Sequence, residues 1–191
     1  MVFTPLHREL ELLAMTPLDQ YLLREAIRVG AREQRDLIFR ETPHAIAAAL
    51  ARDLCALANR GGGWIFYGIR APDGVVENLA PCQPIADIDH TVTQVARDLV
   101  TPPLTDVTVH HIPVAPTGVV YAIEVPYCDQ APHHLSDGTA PIRRGTTPTL
   151  EYLTDAEQHQ LRLEVRNFSA WRAHTIPALI DEYQRLAPIY G

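Results

Sequence analysis

The sequence predicts an α+β fold: a mixed, largely antiparallel sheet with helices packed on one face and short helical extensions at both ends. Three observations carry this. An alanine-rich helical stretch, 45–58, turns through Asn59-Arg60-Gly61-Gly62-Gly63 straight into Trp64-Ile65-Phe66-Tyr67-Gly68-Ile69, a bulky, β-branched run that reads as an interior strand. Two further strands, 105–114 and 118–127, are joined by the loop Ala115-Pro116-Thr117-Gly118, and such a hairpin argues against a purely parallel sheet. Apolar residues make up 47% of the 191, enough for a core, yet no stretch approaches the roughly 20 apolar residues of a membrane span.

The elements follow in order. Residues 4–14 predict an amphipathic helix through Leu6, Leu10 and Leu13. A second helix starts at Thr16-Pro17, with Asp19 where a capping box places Glu, and stops at Gly30. Leu37-Ile38-Phe39, flanked by charge, reads as a strand. In the central helix Thr42 serves as N-cap and Pro43 sits where a missing N–H costs nothing. Its apolar stripe is Ile46, Leu50, Leu54 and Leu57. Asn59 and Gly61 suit the left-handed turn that ends it. The glycines after it either make a tight corner only or leave backbone N–H groups open to an anion. Asp87 caps a helix carrying Ile88, Val92, Val95 and Leu99, which Thr101-Pro102-Pro103 ends. Ile142-Arg143-Arg144 reads as a short strand. Thr154 begins a last helical region, acidic in its first turn and broken near Pro177.

The net charge of −7 is not the footprint of a general nucleic-acid binder, but its distribution is uneven. Residues 1–60 balance eight Arg against eight acids, 61–130 set two Arg against eight acids, and 131–191 set six Arg against seven. Any cationic surface must therefore come from the first and last thirds. Every fixed cation is Arg, which suits bidentate phosphate contacts, although codon bias explains the missing Lys more cheaply. Cys55, Cys82 and Cys128 are odd in number and far apart, as free thiols of a reducing, cytoplasmic compartment would be. The N-terminus lacks the basic start of a secretion signal. The adjacent pairs His110-His111 and His133-His134 point to opposite faces of any strand, so no metal site is expected from them.

Five segments occur in a telling order: Gly30…Glu33…Leu37-Ile38-Phe39-Arg40; Ala58-Asn59-Arg60-Gly61-Gly62-Gly63 with its strand and Gly68; Pro126 and Pro132; Ile142-Arg143-Arg144-Gly145-Thr146; Thr154…Glu157…Leu161. Together they resemble the Schlafen-type AlbA-like domain over residues 18–162, leaving 1–17 and 163–191 as helical extensions. The resemblance implies a nucleic-acid-binding module of the kind found in bacterial regulation and defence, with tRNA, other structured RNA or DNA as partner. In animal Schlafens it implies a ribonuclease with clustered carboxylates that hold Mg²⁺ or Mn²⁺. Glu33 matches the first acid of that pattern. Ile38 stands where the second belongs, Arg40 replaces a Lys, and Asp73 is the candidate for the third.

The expected binding residues are Arg40, Asn59, Arg60, Gly62, Gly63, Arg143, Arg144, Thr146 and Thr147. Arg143 and Arg144 are adjacent on a strand, so at least one faces solvent or a groove; the hydroxyls of Thr146 and Thr147 add donors for phosphate oxygens. Glu33 and Asp73 are the catalytic candidates should the chain be a nuclease. With a carboxylate lost at Ile38, binding is favoured over catalysis, and no cofactor is expected outside the nuclease reading. A third reading, supported by the acidic middle third, is a protein-interaction module that kept the fold and lost the ligand. Two lobes enclose the groove of Schlafen-like nucleases. This chain has one, so a homodimer through 4–14 and 176–187 is expected to form its equivalent.

Overall fold

The computed structural model describes residues 3–13, 16–145 and 149–190, with the side chains of the last helix as far as residue 180. In chain order the elements are α1 (Pro5–Glu9), α2 (Gln20–Val29), β1 (Leu37–Arg40), α3 (Ala47–Ala58), β2 (Gly63–Tyr67), β3 (Ile69–Arg70), β4 (Asn78–Leu79) and α4 (Ile88–Asp98). There follow β5 (Val100–Thr101), β6 (Thr108–Val114), β7 (Gly118–Val125), β8 (His134–Leu135), β9 (Pro141–Arg143), β10 (Leu150–Tyr152) and α5 (Asp155–Tyr190).

Four strands form the main sheet in the order β1–β2–β7–β6. β1 runs parallel to β2, with Leu37 opposite Trp64 and Arg40 opposite Tyr67. β7 is antiparallel to both β2 and β6, and the β6–β7 hairpin closes at Val114 and Gly118. The fold is therefore α+β with a mixed sheet, as expected. Helices cover both faces, however, not one. Ile38, Ile65, Tyr67 and Ile123 pack with Leu50 and Leu54 of α3 and Val92 and Val95 of α4. Leu37, Phe39, Trp64 and Phe66 pack on the opposite side with Leu6 of α1 and Leu22, Leu23 and Ala26 of α2. The reason lies in the strands. Leu37-Ile38-Phe39 and Trp64-Ile65-Phe66-Tyr67 do not alternate with polar residues, so each strand has an apolar side chain to bury on either face.

Several helix ends differ from expectation. α3 begins at Ala47, with Ile46 as an N-cap that makes no side-chain bond. Thr42 and Pro43 stay outside it because the His44 ring is taken by the Tyr67 hydroxyl at 2.6 Å and the Asp53 carboxylate at 3.3 Å, which holds 42–46 off the helical path. Asp19 is itself the N-cap of α2, accepting the N–H groups of Tyr21 and Leu22, while Gly30 closes that helix in a left-handed turn as predicted. α1 is shorter than expected and ends at Glu9. Thr154 and Glu157 form a capping box before α5. α5 then continues through Pro177 instead of breaking. The proline frees the carbonyl of Ala173, and Ala173 is exposed, so water can satisfy it.

Candidate nucleic-acid interface

Two layers make up the region: a buried set of ion pairs, and an exposed cationic corner above it. The buried layer centres on Glu33, which is only 2% exposed. Its carboxylate accepts the Phe39 N–H at 2.7 Å, Arg40 Nη1 at 3.2 Å and Arg143 Nη2 at 3.3 Å. Arg40 reaches on to Asp53 with Nη2 at 2.8 Å. Asp53 in turn pairs with His44, whose other ring nitrogen meets the Tyr67 hydroxyl. Two guanidiniums thus sit among two buried carboxylates, as desolvated charges require. Burial pushes the Asp53 carboxyl up, but the His44 hydrogen bond and the charges of Arg40, His44 and Arg143 pull it further down, leaving it below its ordinary value.

That direction has a consequence for stability. A carboxyl depressed in the folded state stabilises the fold above its unfolded value, and the contribution is lost as the pH falls through the folded one. The stability gap between wild type and Asp53→Asn is therefore expected to be full at about pH 5 and to close towards about pH 2. Urea midpoints across that range measure it; a gap as wide at the acid end would contradict the pairing.

The exposed layer is organised by the glycine corner, where four segments converge. Asn59 is 2% exposed and binds no ligand from there. Its Nδ2 donates to the carbonyls of His133 and Pro141, both at 2.9 Å, and its Oδ1 accepts the His133 N–H, so it clamps β8 and β9 to the end of α3. Gly62 lies against the backbone of Val125, Pro126 and Tyr127, and Gly63 against that of Asp36. Trp64 N–H donates to the Asp36 carbonyl at 2.9 Å, which fixes the 34–36 turn beside the corner.

Three arginines ride on these segments: Arg35, Arg60 and Arg144, all exposed. Burial and the like charges of Arg35 and Arg144 lower the Arg60 guanidinium, against opposing pulls from Asp36 and Glu164. Asp36 is itself neutralised by Arg8 at 3.0 Å. Arg144 pairs with Glu151 at 3.0 Å and with Glu157. Arg35 and Arg60 make no ion pair among the described residues. Next to Arg60 and Gly61 is a cavity of about 200 Å³, lined also by Tyr127, Leu161, Val165 and Phe168. A neighbouring cavity of about 270 Å³ carries Asp106 and Asp129, which repel phosphate.

The expected site residues separate accordingly. Arg60 and Arg144 stand at the surface; Gly62 and Gly63 shape the corner through backbone contact. Arg143 is 0% exposed and cannot reach a surface ligand, because Glu33 and the Gln34 carbonyl hold it inside. Arg40 is half-buried and committed to Glu33 and Asp53. Thr146 and Thr147 lie outside the described residues. Asp73 is exposed, on the turn whose Gly74 carbonyl accepts the Glu33 N–H. A Mg²⁺ or Mn²⁺ ion does not fit these residues. Glu33 is spent on two guanidiniums and a backbone N–H, Ile38 offers no donor, and no group of three His, Cys, Asp or Glu suited to a metal occurs among the described residues. Arg35, His44, Asp53 and Tyr67 were not anticipated. Asp53 had a readable signal, since it lies between Leu50 and Leu57 on the apolar stripe of its helix.

A mixed sheet with helices on both faces, joined through a glycine corner flanked by arginines, defines a small α+β domain. A family model described as Schlafen, AlbA_2 matches residues 32–150, and the chain belongs to the Schlafen AlbA_2 family. No curated protein matches it. Among solved structures, the DIP2311 protein from Corynebacterium diphtheriae is similar at 16% identity and a TM-score of 0.45, over 73% of this chain and 27% of that one. This chain thus spans about a quarter of that protein's length.

Proposed function

We propose that the protein binds the nucleic-acid backbone through Arg35, Arg60 and Arg144 at the glycine corner, without cleaving it. One observation carries the reading: Arg35 and Arg60 are exposed, close enough for Arg60 to feel the like charge, and unpaired among the described residues. In a chain of net charge −7, two neighbouring cations that no described carboxylate pairs, with Asp36 already taken by Arg8, are placed for an external anion. The nuclease alternative has less support, because its first acid is consumed by Arg40 and Arg143. A nucleic-acid partner also fits a cytoplasmic setting. Among the described residues no helix is long and apolar enough to cross a membrane.

A homodimer belongs to the same reading. Ile176, Leu179 and Ile180 are exposed on α5, and a second copy is the partner that would cover them. Fluorescence anisotropy of labelled tRNA and duplex DNA, at low and at physiological salt, tests the binding. Arg35→Ala/Arg60→Ala is expected to weaken all ligands alike and to reduce the log–log salt slope by about 1 to 2. No binding by wild type at low salt, or an unchanged slope in the variant, would refute the assignment. Light scattering of the same samples at micromolar concentration should give a dimer mass; a monomer would remove that part.

A further inference from the structure

Beyond the backbone contacts, one surface has no role yet. Phe168 and Trp171 are large aromatics standing 44% and 55% exposed on α5, outside the family match over 32–150. Their rings stack at 5.8 Å and 25°. Tyr127, from the segment that packs on Gly62, meets Phe168 edge-on at 5.2 Å. Tyr127 and Phe168 also wall the cavity of about 200 Å³ that Arg60 and the Gly61 backbone complete. Phe168 and Trp171 form a two-ring platform that runs outward along the helix, with the half-buried Tyr127 edge-on to Phe168 on the side of the unpaired cation.

We propose that this platform stacks unpaired nucleobases while Arg60 holds the adjoining phosphate, so that the protein prefers single-stranded to fully paired nucleic acid. The proposal rests on the backbone-binding reading and deepens it. Stacking on an aromatic face needs a base whose own face is free, which a duplex interior does not offer. Charge selects this occupant over a second copy of the chain. Arg162, Arg166 and Arg172 lie exposed on the same helix without an ion pair among the described residues. Arg172 stands one turn beyond Phe168 on the side of the helix that carries the rings, with Arg162 and Arg166 on its other side, so a nucleic-acid strand laid on the rings meets Arg60 and Arg172, whereas an apolar contact with a second copy would bury those two cations without partners. Glu164 lines the cavity and accepts from Gln160, and Asp106 and Asp129 lie with Tyr127 and Arg172 on the neighbouring one, so Arg60, Arg162, Arg166 and Arg172 stand against three carboxylates. The apolar residues from Ile176 onward lie farther along α5 and remain open to a second copy.

Three labelled probes test this on the full chain: a short mixed-sequence single strand, an abasic strand of the same length, and the matching duplex. Anisotropy should show the single strand binding about tenfold tighter than the abasic one. Trp171→Ala and Phe168→Ala should bring the single strand down to the abasic level and leave the abasic strand unchanged; Trp171→Phe should restore most of the difference. Trp64 is buried, so quenching of tryptophan fluorescence by the single strand reports Trp171. If no probe binds, the backbone reading itself falls. If all three bind alike and Trp171→Ala changes none of them, backbone binding stands and the stacking proposal is overturned. It is also overturned if Trp171→Ala alters only the mass seen by light scattering, since the platform then belongs to a second copy.

Discussion

Glu33→Ala is expected to destabilise the domain severely, which a residue held only for catalysis would not do. In the folded protein the Glu33 carboxylate is the charge partner of Arg143, which has no exposure to solvent. Alanine would leave that guanidinium buried beside the Gln34 carbonyl, with only the more distant Asp53 to balance it. It would also leave the Phe39 N–H without its acceptor at the centre of β1. Removing one member of a buried pair costs about 3–5 kcal/mol, because the other charge stays desolvated. Against a total stability of about 5–15 kcal/mol, that is enough to bring the domain close to unfolding. Urea denaturation of the two proteins measures it. Glu33→Ala/Arg143→Met should regain part of the loss, since the stranded charge goes with its partner. A Glu33→Ala variant with a wild-type midpoint would show that the pair does not hold the fold. A catalytic acid behaves in the opposite way: its loss abolishes turnover and leaves the midpoint alone.

This difference in role marks where the sequence was legible and where it was not. Local rules located β1, the corner and β2, because Leu37-Ile38-Phe39 and Trp64-Ile65-Phe66-Tyr67 are apolar runs bounded by turn residues. The same runs lack alternation, the signal for cover on both faces, and the expectation of helices on one face passed over it. The left-handed end of α2 at Gly30 followed from one residue. Pairings between distant residues did not follow. Arg143 lies 110 positions from Glu33, and adjacency on a strand says only that Arg143 and Arg144 point apart, not which one faces in. The structure sends Arg143 inward to Glu33 and Arg144 outward to Glu151 and Glu157. Arg35 was hidden for a related reason. It belongs to no motif, and its value comes from Gly63, which lets the 34–36 turn approach Arg60. Thr42 misled because its capping chemistry was sound locally but lost to the tertiary pull on His44.

The corner supplies the second large effect. Gly62→Ala is expected to destabilise the protein by about 3 kcal/mol, from a left-handed backbone cost and an overpacking cost together. Gly62 has φ of +103°, and a Cβ there would lie 2.7 Å from the Val125 carbonyl oxygen, 3.0 Å from the Pro126 carbonyl carbon and 3.1 Å from the Tyr127 nitrogen. All three are backbone atoms at the end of β7, and no rotamer change can move them aside. Gly138→Ala separates the two costs. It has φ of +80° with nothing within 4 Å of a Cβ, so it bears the backbone strain alone, about 1–2 kcal/mol. Thermal or urea midpoints of the two variants should therefore differ, with Gly62→Ala clearly the lower; equal midpoints would mean that the corner is not packed as described. The effect also reaches the proposed binding surface. If the end of β7 shifts to admit the methyl group, Tyr127 moves relative to Arg60, and the cation and the aromatic ring lose their common cavity. Whatever folded fraction of Gly62→Ala remains should then bind a single strand more weakly than Gly138→Ala does at the same concentration of folded protein. The glycine corner thus sets two properties through one close approach: the join of α3 to the sheet, and the spacing of Arg60 and Tyr127 across their common cavity.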